Sequence, residues 1–335
     1  MKKAFAVFAI LAMVTGSSTV GYCWGVWGHN HINKAAVLAL PADMGMFFYN
    51  HADFMVQESI VPDLRKYTLY DKAEGCRHYI DLEWFHYDSP AGMPVTMGDA
   101  IARYGADSLS KYGMLPWYIE DMMEKLTNAF RKKNTTEILF LAADLGHYIG
   151  DANMPLHTSL NHNGQLTGQV GIHAFWESQL PELFGKDYRL YTGTAHYISD
   201  VKKATWSLID SSHRLATLLL QQDKMASNAL PADQQYATNA DGQPRKNKFG
   251  QPVQSDAYAA GYHKLLAGMV ERQLNNAIRQ TADMWYTAWV NAGKPDLGSL
   301  DAATLTERNT PYYKEELDTW KKTGTVIGCI TDREF

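Results

Sequence analysis

The chain has 335 residues, of which 46% are hydrophobic and 20% charged; this excludes a disordered polymer and leaves enough apolar mass for a sizeable core in one large domain or two. A net charge of -5 excludes the basic footprint that duplex nucleic acid requires, although bound metal ions could still create a local positive site. No apolar run reaches the length of about 18 residues that a membrane-spanning helix needs.

Residues 1–23 read as a signal peptide. Lys2 and Lys3 precede the apolar run AFAVFAILAMV and then small polar residues. A cut after Cys23, with Gly21 at the third place back, leaves Trp24 first and predicts a periplasmic or secreted protein. Lipoprotein processing is the competing address; it would keep Cys23 as the first residue, and the bulky Tyr22 argues against it. Cys76 and Cys329 would then reach an oxidising compartment, where they could form one disulfide tying the C-terminal tail to the body.

Helical signals dominate the rest of the chain. Apolar residues at Ile32, Ala35, Ala36 and Leu40 predict a helix over 29–40 that stops at Pro41, and Asp43 opens a second run to about Gln57. Val61-Pro62-Asp63 breaks the pattern. Further helices are predicted from Pro94 to Tyr104 and from Leu115 to Lys133, and Asn134 with Glu137 reads as a capping box for the next. Two long candidates run from Asp200 to about Asn228 and from Ser255 to about Asn291. Between them a stretch over 229–254, rich in Gly, Pro, Asn and Gln, reads as an exposed loop that could cover an entrance. Alternating β-branched segments are nearly absent. The reading is all-α: a single multi-helix domain over 24–293 with a C-terminal extension over 294–335.

Chemistry concentrates between Phe140 and Glu177. His147 and Asp151 are four apart, as are His173 and Glu177, so on a helix each pair projects from one face. His157 stands between them, after Met154-Pro155, which ends the first helix. Imidazoles and carboxylates are the ligands Zn²⁺ takes where thiolates are absent. One such pair is more often a hydrogen bond or a surface ion pair; five potential ligands in one stretch point to a metal site. Upstream, His29 ends WGVWGH, Asp63 closes VPD and His78 lies in RHYIDLE. Taken singly, each reads as well as a satisfied core residue.

Taken in order, WGVWGH, the isolated Asp63, an HxxD segment at His78, HYIGDANMPLH and HxxxE resemble the superfamily that unites bacterial zinc-dependent phospholipases C with fungal single-strand-specific zinc nucleases. The resemblance runs from residue 24 to about 180. It implies a mostly α fold with three zinc ions at the bottom of a cleft. Carried onto this sequence, it implies that Asp63, His78, His147 and Asp151 hold one zinc. The α-amino nitrogen and carbonyl oxygen of Trp24, with His29 and a second oxygen of Asp151, would hold another. His157, His173 and Glu177 would hold the third. Asp63 and Asp151 become the catalytic carboxylates of an exported phosphodiesterase that hydrolyses a P–O bond with a metal-bound hydroxide.

That arrangement has its own physical logic. A water shared by two close dications should lose a proton near neutral pH, since a zinc-bound water can have a pKa of about 7. A third ion with fewer protein ligands keeps positions open for a phosphoryl oxygen and the leaving alkoxide. The expected step is in-line attack without a covalent intermediate.

The substrate is less sharply drawn. The loop between His157 and His173 and the ending GIHAFWE resemble the phospholipases, whereas the spacing from Trp24 to His29 resembles the nucleases. Leu64 stands where choline-selective phospholipases carry an aromatic residue, a departure that bears on choline selectivity. Tyr79 matches the position on which the nucleases stack a base, and reads equally as a core aromatic. Trp27 and Trp176 are cleft candidates by adjacency, and His31 could take the place of His29. The first reading is a phospholipase C-like enzyme acting on a phospholipid. Its alternative is a single-strand-specific nuclease with 3′-nucleotidase activity on single-stranded nucleic acid or nucleotides. A non-catalytic zinc-binding protein is the third; nine ligand residues for three metals leave coordination places unfilled, which favours catalysis.

Overall fold

The computed structural model describes residues 25–247 and 250–329. The segment read as a signal peptide, the Cys23 alternative and the ligand role expected of Trp24 lie outside the described residues.

Helix α1, Val26–Ala39, is the axis of the molecule: every residue from Trp27 to Ala39 is buried. A helix buried on all sides while carrying His29, Asn30, His31, Asn33 and Lys34 must find partners for each polar group inside the protein. The run expected from Asp43 to Gln57 divides at His51 into α2, Ala42–Asn50, and α3, Ala52–Glu58. Val61-Pro62-Asp63 opens a helix instead of interrupting one. It begins α4, Val61–Tyr67, with Pro62 in the first turn, where its missing N–H costs no bond. A 3-10 turn, Gly75–Arg77, delivers His78.

Two short helices come next, α5 (Met97–Tyr104) and α6 (Ala106–Tyr112), then two longer ones, α7 (Leu115–Lys132) and α8 (Thr135–Ala152). Asn134 caps α8 by accepting the Glu137 N–H at 3.3 Å, which is the side-chain-to-backbone half of the expected capping box. Helix α9, Ile172–Ala174, passes through a π turn, Phe175–Gln179, into α10, Leu180–Phe184. Asp200 caps α11, Val201–Ala229.

The stretch expected as one helix from Ser255 to Asn291 is two, α12 (Asp256–Leu265) and α13 (Met269–Asn291). Ala267 and Gly268 between them adopt φ of 49° and 78°, a left-handed break that Gly268 accommodates without penalty. Helix α13 packs on α1, α7 and α8; its Trp285 stacks on Phe48 and donates to the Ala142 carbonyl at 2.9 Å.

The segment after Gly293 forms α14, Ala303–Thr323, which lies along α2. Glu316 accepts from Tyr49 at 2.8 Å and pairs with Lys34 at 2.9 Å, and buried Trp320 donates to the Leu190 carbonyl. The polar 229–254 stretch pairs with itself through isolated bridges such as Tyr236 with Gln254. Gln179 ties its base to the π turn through the Gln254 carbonyl. Among the described residues there is no strand beyond such bridges, and no helix is long and apolar enough to cross a membrane. The all-α, single-domain expectation holds.

The Cys76–Cys329 disulfide does not form. Cys76 points its thiol at the Ala73 carbonyl within the 3-10 turn, while Cys329 points its own at the Asn30 carbonyl on α1.

Candidate metal centre

Helices α1 and α8 meet along a glycine seam. Gly146 and Gly150, four apart, leave room for α1: a Cβ at 146 would come 2.5 Å from Asn33 Oδ1, and one at 150 would come 3.1 Å from His29 Nδ1. The close approach stacks His29 on His147 with ring centroids 3.8 Å apart. The same face of α8 presents Asp151. Asp63 comes from the first turn of α4, His78 from the end of the 3-10 turn, His157 from a second such turn at Pro155–Thr158, and His173 and Glu177 from α9 and its π turn.

Eight side chains from these elements converge in three buried groups: His29, His147 and Asp151; Asp63, His78 and His147; and His157, His173 and Glu177. A tetrahedral zinc shell with bonds of about 2.0–2.1 Å separates its donor atoms by about 3.3 Å. In the last group, His173 Nε2 lies 3.1 Å from His157 Nε2 and 3.1 Å from Glu177 Oε2, with 3.8 Å closing the triangle. Around His78 Nδ1 stand Asp151 Oδ2 at 2.9 Å, His147 Nε2 at 3.1 Å and Asp63 Oδ1 at 3.7 Å. Hydrogen bonds explain each pair singly; they do not explain three or four donors aimed at one point. Asp151 links the groups. Its Oδ2 faces His78 and His147, while its Oδ1 stands 3.6 Å from both His29 Nε2 and His157 Nδ1.

The protein alone leaves this cluster unsatisfied. Both nitrogens of His29, Asp63 Oδ1, Asp151 Oδ1 and His157 Nδ1 are buried without a hydrogen-bond partner, and each such group costs about 1–3 kcal/mol. Elsewhere the imidazoles are firmly aimed. The Nδ1 of His147 bonds the Ser59 carbonyl at 2.7 Å and that of His173 bonds the His162 carbonyl at 2.7 Å, leaving each Nε2 for the site, as the partners behind metal-ligating imidazoles do. Orphaned donors with pinned neighbours fit a resident divalent cation of the N/O-loving kind, with zinc well suited.

The electrostatics run the same way. Burial, reinforced by His147, holds His29 well below the usual imidazole range, and burial does the same to His157. Both are therefore neutral, the form that ligates metal. Burial also opposes the charge on Asp151, but His147, His157 and the hydrogen bonds from His147 and His78 outweigh it and keep its carboxyl ionised. His147 resists burial because Asp151 pulls it up to about 9, so metal binding there must displace a proton. Burial pushes Asp63 up, against the pull of His147 and His78. The three groups are not equally deep: Asp63, His157 and His173 are 4–5% exposed and the other five fully buried, so what exposure the cluster has lies at Asp63, His157 and His173.

Other expected residues lie elsewhere. His31 bonds the Trp27 carbonyl at 2.7 Å and stacks on the Trp27 ring, so His29 faces the cluster and His31 does not. Trp27 and Trp176 are core residues, the first packed over Gly185. Tyr79 is half-buried, its hydroxyl donating to the Lys111 carbonyl at 2.9 Å. Leu64 is exposed. Sequence reasoning passed over Lys66, whose charge bears on Asp63, His157 and His162, and Glu74, 3.4 Å behind His78. Each stands within four residues of a ligand, at i+3 from Asp63 and i−4 from His78, a helical spacing that could have flagged it.

Set against models of known protein families and against curated proteins, the sequence finds no match. The chain is an all-helical domain whose buried His, Asp and Glu clusters can hold up to three metal ions, consistent in general with a metal-dependent hydrolase.

Proposed function

We propose that this chain is an exported zinc-dependent phosphodiesterase of the phospholipase C kind. The observation that carries the reading is the split carboxylate of Asp151, with one oxygen turned to His78 and His147 and the other to His29 and His157. A carboxylate so placed suits two adjacent cations. Zinc held in the three groups would supply Lewis acidity toward a phosphoryl oxygen and lower the pKa of a water to about 7.

The chain's own residues set up the remainder. Asp151, kept ionised, neutralises part of the cationic charge, while neutral His29 and His157 add none. Asp63 lies at the accessible edge, where it can orient an attacking water. Lys66, three residues on and half-buried, adds positive charge on the approach side, which suits an anionic phosphodiester.

A groove of about 560 Å³, reached by the chain soon after His157, suits a lipid. It is walled by Trp84, Tyr104, Leu160 and Leu166, and Leu160 comes three residues after His157, within about 11 Å along the chain. Two of its polar wall residues are already engaged, while exposed His86 and the Tyr104 hydroxyl, which has no hydrogen-bond partner, also line it. Glu83 accepts from Ser159 Oγ and Leu160 N, while Asn161 donates to Thr167 and accepts from Leu166 N. The apolar walls of Trp84, Leu160 and Leu166 suit an acyl chain.

The test is zinc content by elemental analysis together with turnover of phosphatidylcholine, phosphatidylinositol and single-stranded DNA and RNA. Bound zinc with phospholipid hydrolysis is expected. Turnover of nucleic acid alone would assign the nuclease alternative, and zinc without turnover of any substrate would mark a non-catalytic zinc protein.

A further inference from the structure

Behind His78 lies a buried carboxylate that is in none of the three groups. Glu74 is fully buried, and three donors hold it apart from the imidazole. Its Oε1 accepts a short bond from Tyr148 Oη, and its Oε2 accepts from Arg77 Nη1 at 2.9 Å and Arg65 Nε at 3.2 Å. Arg65 continues to Asp144 at 2.6 Å. Arg65 also lies 3.9 Å from Glu58, and the three donors on Glu74 fix its carboxylate in place.

The orientation of His78 differs from that of its neighbours. His147 and His173 give Nδ1 to a backbone carbonyl and turn Nε2 to the site. His78 is reversed: Nδ1 faces Asp63, His147 and Asp151, and Nε2 faces Glu74 Oε1 at 3.4 Å. Two carboxylates therefore stand on opposite sides of the ring, one at each nitrogen. If Asp151, 2.9 Å from Nδ1, takes the proton of a neutral ring, the nitrogen in the site carries a hydrogen and cannot ligate. If Glu74 takes it on the far side, the Nδ1 lone pair is free for a cation.

We propose that Glu74 is the positioning residue that holds the His78 proton on Nε2 and so presents Nδ1 to the metal centre. Building on the metal-centre reading, this assigns the carboxylate–histidine–metal relay to one residue whose i, i+4 spacing to His78 sets the geometry.

The test begins with ¹⁵N NMR of the metal-free protein above pH 8. The expected result is His78 protonated at Nε2 and bare at Nδ1, and in Glu74→Gln a shift of the proton to Nδ1. Chelator competition should then show one zinc of the set bound about 10–100-fold more weakly in Glu74→Gln, with the other sites little changed. Tyr148→Phe removes a donor from Glu74 but leaves its charge and both arginines, so it should keep the wild-type tautomer and zinc affinity within about threefold. A proton on Nδ1 in the wild type, undiminished zinc affinity in Glu74→Gln, or an equal loss in Tyr148→Phe would overturn the assignment. The tautomer is read without metal, so a wild-type protein that binds no zinc would defeat the proposed function while Glu74 is still judged.

Discussion

Gly150→Ala tests whether the seam between α1 and α8 sets the metal geometry. The new Cβ would lie 3.1 Å from His29 Nδ1, 3.2 Å from its Cε1 and 3.3 Å from Ile32 Cδ1. Ordinary contact begins at 3.4 Å, so the imidazole must give way by about 0.3 Å, beyond the ±0.2 Å or so that ligand distances tolerate. Alanine gains about 1 kcal/mol of helix propensity over glycine, and overpacking a core costs about 1–3 kcal/mol. The fold should therefore survive with a net change between zero and about 2 kcal/mol. The expected outcome is selective: the zinc of the His29 group binds about 10–100-fold more weakly, and the metal-free protein melts within a few degrees of wild type. Zinc titration monitored by elemental analysis, with thermal unfolding of the metal-free form, reads both. Gly261→Ala on α12 is the control, since nothing lies within 4 Å of its Cβ; it should stabilise by up to about 1 kcal/mol and leave zinc untouched. Wild-type zinc affinity in Gly150→Ala would refute the argument, because His29 would then either be no ligand or have slack the seam denies it.

Asp151→Asn should abolish turnover and deplete more than one zinc by elemental analysis, since removing one partner from a buried charged cluster costs about 3–5 kcal/mol; Glu177→Gln should deplete only the ion of the His157 group, and full occupancy in either would reject the assignment. A residue left in front of Trp24 converts its amine, of pKa about 8, into an amide, so an extended chain should lose one zinc and most activity, and trimming back to Trp24 should restore both; full zinc and turnover in the extended chain would show that the amine is no ligand. Away from the centre, burial pushes Glu120 up to about 7, against the pull of Lys202. Folded protein then holds a proton that the unfolded chain releases near pH 4.5, so this contribution to stability is complete below that pH and is lost as pH rises through about 7. Glu120→Gln stays neutral throughout, so its melting temperature should gain on wild type between about pH 4 and pH 8, and a constant gap would contradict the raised value.

Much of the fold is legible because its helices carry local marks. Asn134 and Asp200 cap where a side-chain oxygen can accept from the third residue on, and Pro41 stops α1 because it cannot continue the ladder. The misreadings share a cause. The apolar spacing runs on through Ala267 and Gly268, and nothing local tells a glycine tolerated inside a helix from one that ends it; the left-handed φ at both residues is what divides α12 from α13. At Val61-Pro62-Asp63 a proline reads as a break, although in the first turn of a helix it is a start.

The site divides along a similar line. Side chains that chelate advertise themselves by type and spacing, so His147 with Asp151 and His173 with Glu177 can be paired from sequence. Which nitrogen each imidazole turns inward cannot be, because that is decided by Ser59 and His162 through backbone carbonyls every residue possesses. Glu74 is the exception that carries information, being a charged residue with no ligand role at helical spacing from one that has it. A buried carboxylate persists only where its charge is met, and here two arginines, a tyrosine and the back of His78 meet it. The chelating face of such a centre can thus be drawn from ligand types alone, but its aim is set by the groups behind the ligands, most of which belong to the backbone and leave no trace in the sequence.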